Sequence, residues 1–141
     1  MSCYVADASV IIKWMVPERE AEANVSQALD VLLALKGGAL QLLQPVHWLA
    51  EVAAVLARVS QPTAAAKIAA LNLTEIHTAD TPEIWDLAVE LAIALNHHLF
   101  DTLYHAVALQ TQGVQLITAD RRYYKKAHDR GRIMLLDDLK L

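Results

Sequence analysis

The chain has 141 residues, of which 55% are hydrophobic and 20% charged, and its formal net charge is −4 at pH 7. This length and composition predict one domain over residues 1–141 with a substantial core, and they argue against a disordered chain. No apolar stretch is long enough to span a bilayer and no basic segment precedes an apolar one at the N-terminus, so we expect a cytoplasmic protein without membrane association. A single cysteine, Cys3, excludes an internal disulfide and a cysteine-built zinc site.

Short apolar segments alternate with segments of helical periodicity along the chain. Gly37 and Gly38 stop the second helix, and Thr81 followed by Pro82 starts the fifth. The predicted strands lie at residues 3–6, 40–45, 74–79, 114–120 and 133–136. The predicted helices lie at residues 9–16, 18–36, 46–58, 61–72, 81–96, 101–113 and 121–131. This alternation predicts an α/β fold with a parallel sheet covered on both faces.

Acidic residues occupy four positions that suggest a site. Asp7 ends the first strand and Asp120 ends the fourth, and parallel strands finish at one edge of a sheet, where ligands generally bind. Glu51 has mostly small or apolar helical neighbours, and Asp101 lies at or just inside a helix start. Structural alternatives remain open: Asp7 or Ser9 can cap the following helix. Glu51 can be a solvated helix acid, and Asp101 can simply favour the helix dipole.

Carboxylates that converge in one pocket repel each other, so a divalent cation is their expected partner. Oxygen ligands with few histidines suit Mg²⁺ or Mn²⁺, and such an ion binds and polarises a phosphate. His97, His98 and His105 lie near Asp101 and raise zinc as an alternative. Zinc needs three or four converging ligands, however, and no H-E-x-x-H motif is present. We therefore interpret His105 as a structural residue or a substrate contact.

Four blocks of the sequence resemble, in order and spacing, the signature blocks of PIN-domain ribonucleases: VADASVIIKWMVPE, PVHWLAEVAAVL, FDTLYHAVAL and LITADRRYYKKA. They are especially similar to the toxins of VapBC-type toxin–antitoxin modules, and the resemblance covers nearly the whole chain. It implies a three-layer α/β/α sandwich with a mostly parallel five-stranded sheet. It also implies a Mg²⁺- or Mn²⁺-dependent endonuclease acting on RNA, which forms a homodimer and is inhibited by a cognate antitoxin protein.

The resemblance also assigns site residues by position. The family's acidic quartet corresponds to Asp7, Glu51, Asp101 and Asp120. The small hydroxyl residue before the last acid corresponds to Thr118, and Ser9 is a further supporting residue. Because all four acids are present, the resemblance implies an active member whose acids hold one or two metal ions directly or through water. Hydrolysis by in-line attack would leave a 5′-phosphate and a 3′-hydroxyl.

A basic segment follows the last of these acids. Six of the twelve lysine and arginine residues lie just after Asp120, and we expect four of them to contact the RNA backbone. These four are Arg121, Arg122, Lys125 and Lys126. Tyr123 and Tyr124 can stack on a base. The alternative is a solvated helix whose tyrosines face the core.

Two of the three tryptophans are candidates for a surface that binds a protein partner. Trp14, Trp48 and Trp85 are interpreted as core or rim residues. In the alternative, Trp14 and Trp48 flank the first two acids and line a groove for an antitoxin helix. The acidic net charge of the chain also suits a basic protein partner.

Two other protein classes fit the sequence less well, and two further alternatives remain open. A phosphorelay receiver would need adjacent N-terminal acids, and a haloacid-dehalogenase-like phosphatase would need a D-x-D motif where position 9 is serine. A non-catalytic RNA- or protein-binding module with the same fold remains open, as does a solitary PIN nuclease without an antitoxin.

Overall fold

The computed structural model describes residues 1–17 and 24–141, and within these ranges lie five strands and seven α-helices. The strands are β1 (Ser2–Ala6), β2 (Leu40–Pro45), β3 (His77–Ala79), β4 (Gln115–Thr118) and β5 (Ile133–Leu135). The helices are α1 (Ala8–Met15), α2 (Val25–Lys36), α3 (Trp48–Val59), α4 (Ala64–Asn72), α5 (Pro82–Leu95), α6 (Leu99–Gln110) and α7 (Arg121–Ala127). Short 3₁₀ helices follow α7 and β5, at His128–Arg130 and Leu136–Asp138.

The five strands form one sheet in the order β3-β2-β1-β4-β5, and every neighbouring pair is parallel. The predicted five-stranded sheet is confirmed, and it is wholly rather than mostly parallel. The chain builds the sheet outward from β1 through β2 to β3, and then continues on the other side of β1 with β4 and β5. The strand order therefore reverses between β1 and β4, and in open parallel sheets ligands bind outside the carboxyl ends of the strands at this point.

Helices cover both faces of the sheet. Helix α1 contacts α2 and α3, and α3 contacts α4, whereas α5 packs on α6 and α6 contacts β1, β2 and β4. Right-handed crossovers place these two groups on opposite faces, because the chain moves in opposite directions along the sheet in its two halves. The strands between them are buried on both sides, and Val5, Ala6, Leu116 and Ile117 have no exposed surface. The three-layer α/β/α sandwich is thus confirmed.

Trp14 and Trp48 belong to the hydrophobic core. Their exposed fractions are 5% and 7%, and both lie in the buried cluster beneath α1 and α3. Neither indole therefore offers an open groove surface to a partner helix, and their role as core residues is the one that the structure favours.

The observed boundaries differ from the predicted ones where capping interactions decide. Helix α6 begins at Leu99 rather than at residue 101, because the His98 ring accepts a hydrogen bond from the N–H of Phe100 and caps the first turn. Helix α4 begins at Ala64 rather than at residue 61, and Pro62 lies in the turn before it. Of the helix predicted at 18–36, the part from Val25 onward is confirmed, and residues 18–23 lie outside the described residues.

The surface of α5 carries an apolar stripe. Trp85, Val89 and Ile93 follow each other at intervals of four residues and are 38%, 46% and 77% exposed. Residues four apart lie on one face of a helix, so these three side chains form a continuous strip. Within the described ranges, each helix is too short or too polar to cross a membrane.

Candidate metal centre

Asp7 lies directly after β1, at the carboxyl edge of the sheet. Its N–H donates to the carbonyl of Ile117 at 3.2 Å, which continues the pairing of β1 with β4 for one residue. Its Oδ1 accepts hydrogen bonds from the Ser9 N–H at 3.0 Å and from the Ser9 hydroxyl, and its Oδ2 accepts one from the Thr118 hydroxyl. Asp7 therefore caps α1 and also holds its carboxylate beside β4.

The surroundings of Asp7 disfavour its ionised form. Burial raises the pKa of this carboxyl to about 7, against the opposing effect of the hydrogen bonds from Ser9 and Thr118. The negative charges of Asp101 and Asp120 raise the Asp7 pKa further. Three of the four predicted acids are thus close enough to repel one another, as the convergence hypothesis requires.

Ser9 and Thr118 join the two chain segments that follow β1 and β4. The Ser9 hydroxyl accepts from the N–H of Ala119 at 3.1 Å, and the Thr118 hydroxyl accepts from the N–H of Asp120 at 2.9 Å. Asp120 in turn caps α7, since its Oδ1 accepts from the N–H of Tyr123 at 3.1 Å. These bonds fix the backbone of both segments and therefore the directions of their carboxylates.

Asp101 enters the same region from the first turn of α6. Ligand atoms of Asp101, Asp120 and His97 all lie within 4.8 Å of one another, close enough for one metal ion. His97 Nε2 lies 2.8 Å from Asp101 Oδ2. Asp101 is thus paired with a specific neighbour and does more than favour the helix dipole.

Glu51 lies in the first turn of α3. Its side chain is 22% exposed, and its Oε1 accepts a hydrogen bond from the hydroxyl of Tyr104 at 3.1 Å. Burial raises the Glu51 pKa, and the charge of Asp101 raises it further. Burial and the Glu51 carboxylate also raise the Tyr104 pKa, which keeps this phenol protonated as a donor. Glu51 is therefore not a solvated acid on an exposed stripe.

The donors at this edge fit a divalent cation. The four acids come from four chain segments, but among the described residues the group whose ligand atoms lie within 4.8 Å of one another is Asp101, Asp120 and His97, without Asp7 and Glu51. A bound cation would relieve the repulsion that, after burial, raises the Asp7 pKa. Hard oxygen donors of this kind suit Mg²⁺ or Mn²⁺ better than softer metals. The negative charges of Asp101 and Asp120 raise the pKa of Asp7, and the charge of Asp101 also raises the pKa of Glu51.

The basic segment divides into bound and exposed side chains. Arg121 pairs with Asp137, and Lys126 donates to the carbonyl of Asn96 at 3.0 Å. Arg122 and Lys125 are exposed, and within the described part of the chain no carboxylate pairs with either. These two cations are thus the members of the predicted RNA-binding set that remain open to an anionic ligand.

The aromatic residues of this segment are engaged within the protein. Tyr123 is 1% exposed, and its hydroxyl lies 2.9 Å from Nδ1 of His105. Nε2 of His105 lies 2.8 Å from the carbonyl of Gly131, so the buried imidazole links α6 and α7 to the loop before β5. Tyr124 stacks on His128. The core-facing alternative holds for Tyr123, and of the two roles considered for His105, structural residue or substrate contact, these bonds match the structural one.

Three residues near the acids have no assigned role in the sequence prediction. His97 contacts Asp101, Tyr104 donates to Glu51, and the buried amide of Gln44 bonds both polar groups of the Ala6 backbone. A glutamine inside the apolar strand LQLLQP is a visible anomaly that indicates such a buried bond. The spacing of four between His97 and Asp101 is a weaker signal, because the two residues do not share a helix.

An acidic cluster at the carboxyl edge of a parallel sheet is an arrangement that can hold a divalent metal. The family model described as PIN domain matches residues 4–129, and the chain belongs to that family. A search of curated proteins found no match to the chain. Membership of the PIN family supports a metal-dependent nuclease, a hydrolase that acts on nucleic acid.

Proposed function

We propose that this chain is a Mg²⁺- or Mn²⁺-dependent endoribonuclease that hydrolyses phosphodiester bonds in RNA. The observation that carries the proposal is the group of Asp101, Asp120 and His97, whose ligand atoms lie within 4.8 Å of one another. The negative charges of Asp101 and Asp120 also reach the buried Asp7 carboxyl, whose pKa burial first and these charges second raise to about 7. A bound divalent ion would lower the pKa of its water and stabilise negative charge on the phosphate. The protein supplies the carboxylates in fixed positions.

Individual side chains have distinct tasks in this proposal. Asp7, Asp101 and Asp120 would hold the metal, and Glu51 would hold it directly or through water. Thr118 and Ser9 keep the Asp7 carboxylate oriented through the bonds described above. The products would carry a 5′-phosphate and a 3′-hydroxyl.

We further propose that the protein is the toxin of a type II toxin–antitoxin pair, acts in the cytoplasm and forms a homodimer. The four sequence blocks similar to VapBC-type toxins support the toxin assignment, and the net charge of −4 suits a basic antitoxin. The apolar stripe on α5, formed by Trp85, Val89 and Ile93, supports a protein contact because it exposes adjacent large side chains.

The first test is cleavage of a mixed pool of structured RNAs by the purified protein with Mg²⁺ or Mn²⁺. We expect discrete cuts with 5′-phosphate ends, which EDTA abolishes. Asp7→Asn should reduce cleavage by at least about 100-fold, because the site loses a charge that holds the metal. Asp86→Asn is the matched control, since it makes the same charge change at an exposed position on α5 and should leave cleavage unchanged.

Calorimetric titration with Mn²⁺ separates the alternatives. Ion binding that is lost in Asp7→Asn and kept in Asp86→Asn supports the metal centre. RNA binding without cleavage and without ion binding would contradict the nuclease proposal and favour a non-catalytic module. Cleavage by a protein whose genomic neighbourhood supplies no inhibitory partner would contradict only the toxin assignment.

A further inference from the structure

We infer that Phe100 is a stacking platform for an unpaired base of the RNA, held in place by the imidazoles of His47 and His98. The inference rests on the proposed function and deepens it, because it specifies single-stranded or looped RNA as the substrate. Phe100 would contact the base directly, and the two histidines would be positioning residues that act through it.

Phe100 lies at the surface beside the acids. It is 49% exposed and stands in the first turn of α6, directly before Asp101. A single exposed apolar side chain on a protein surface needs no explanation. Phe100 differs from such a side chain because two neighbouring residues hold it and because the next residue is a proposed metal ligand.

Two imidazoles hold both the backbone and the ring of Phe100. Its N–H donates to Nδ1 of His98 at 3.1 Å, and its carbonyl accepts from Nε2 of His47 at 2.9 Å. The Phe100 ring also contacts both imidazole rings, at centroid distances of 4.9 Å to His98 and 5.2 Å to His47. The exposed ring is therefore preorganised, and it has little conformational freedom to lose when a ligand covers it.

The contacts of His47 continue from Phe100 to the acidic cluster. The His47 ring packs on the Tyr104 ring with a centroid distance of 4.8 Å, and its Nε2 lies 3.9 Å from Glu51 Oε2. Tyr104 itself donates to the other oxygen of Glu51 at 3.1 Å. A row of three aromatic rings thus leads from the exposed Phe100 to Glu51, while the backbone leads from Phe100 to Asp101. A nucleotide whose phosphate lies at these acids therefore has Phe100 within reach of its own base or of the next one.

The ligand that this ring suits best is an unpaired base. Every base has a π-face, so an aromatic side chain binds it by stacking whatever the sequence. In a duplex the bases are stacked on one another and paired, which closes their faces to the protein. Arg122 and Lys125 can bind the phosphates of either form, so Phe100 is the residue that distinguishes single-stranded RNA from duplex.

Two probes of equal charge isolate the stacking contribution. One is a short labelled single-stranded RNA of mixed sequence, and the other is an oligomer of the same length in which every nucleotide lacks its base. In metal-free buffer, where cleavage is prevented, fluorescence anisotropy should show that the unaltered protein prefers the RNA. Phe100→Ala should weaken binding of the RNA by about fivefold or more and leave binding of the abasic oligomer unchanged. The same RNA annealed to its complement should bind both proteins equally.

Three controls separate stacking from a structural effect beside Asp101. Leu33→Ala removes an apolar side chain that is 67% exposed on α2, and it should leave both affinities unchanged. Phe100→Trp supplies another stacking ring and should bind the RNA at least as tightly as the unaltered protein. Calorimetry should show the same Mn²⁺ binding in Phe100→Ala as in the unaltered protein, since the acids keep their positions.

The outcomes distinguish failure of the inference from failure of the proposed function. Equal affinity of the unaltered protein for the two probes would overturn the inference, as would equal weakening of both probes by Phe100→Ala. The proposed function would still stand, because it fails only if the unaltered protein neither binds Mn²⁺ nor cleaves RNA. A Phe100→Ala protein that binds RNA normally but no longer self-associates would overturn the inference and assign the ring to a protein contact.

Discussion

The carboxylate of Asp7 both caps a helix and lies among the acids of the proposed metal centre. Its hydrogen bonds with Ser9 cap α1, as a helix-capping aspartate should. The same carboxylate is buried near Asp101 and Asp120, where an ionised cap is unfavourable without a cation. Its two roles therefore make opposite contributions to the stability of the metal-free protein.

This conflict predicts a pH-dependent effect of Asp7→Asn on stability. Burial raises the folded-state pKa of Asp7 to about 7 from an ordinary value of 3.8. Between these pH values the folded state binds a proton that the unfolded state has lost, so the free energy of unfolding falls as pH rises toward 7. In EDTA, we expect Asp7→Asn to gain stability relative to the unaltered protein by up to about 1.4 kcal/mol per pH unit across this range. Urea unfolding at several pH values measures the difference, and a constant difference would contradict the pKa assignment.

At the scale of elements, Gln44 completes the sheet where two strands separate. The backbone register of β1 with β2 covers Ser2 to Tyr4 and stops before the end of β1. Beyond that point the Gln44 amide replaces the ladder, because it donates to the carbonyl of Ala6 at 2.7 Å and accepts from its N–H at 2.8 Å. The residue after Ala6 is Asp7, so this buried amide fixes the strand end that carries the first acid.

We therefore expect Gln44→Met to destabilise the protein by about 2–4 kcal/mol, because it leaves two buried backbone groups without partners. It should also weaken Mn²⁺ binding, since the end of β1 would be less well held. Gln41→Met is the matched control, because Gln41 is exposed on the same strand and should change stability by less than about 0.5 kcal/mol. Urea unfolding and calorimetry measure both effects. Equal effects of the two substitutions would contradict the role of the buried amide.

The positions of the acids could be predicted from the sequence, whereas the contacts of Gln44 could not. The alternation of strands and helices is a local signal, and it placed Asp7 and Asp120 at strand ends before any contact was known. The contacts of Gln44 with Ala6 and of Tyr104 with Glu51 join segments that are distant in sequence, and no periodicity records them. The capping of α6 by His98 was missed for a related reason, since histidine is not among the preferred capping residues.

At the scale of the whole molecule, exposed cations lie towards both edges of the sheet. The chain has a net charge of −4, yet α7 begins beside Asp120 at the carboxyl edge with the exposed cation Arg122 in its first turn, and the exposed Lys125 follows in its last turn. Helices that return from the carboxyl edge carry other cations away from it, as Lys36 and Arg58 lie at the last turns of α2 and α3. A nucleic acid bound beside the acids would therefore meet Arg122 and Lys125 on α7, whatever the net charge of the chain.

The exposed cations of α7 predict a change in the salt dependence of RNA binding when they are removed. Each phosphate contact that is lost should lower the slope of log affinity against log salt concentration by about 0.7 for single-stranded RNA. In metal-free buffer, where cleavage is prevented, Arg122→Ala combined with Lys125→Ala should therefore lower the slope by about 1.4. Lys36→Ala combined with Arg58→Ala removes the same charge at the opposite edge and should leave the slope nearly unchanged. Fluorescence anisotropy over a range of salt concentrations measures both, and equal losses would show that net charge, not the α7 surface, attracts the RNA.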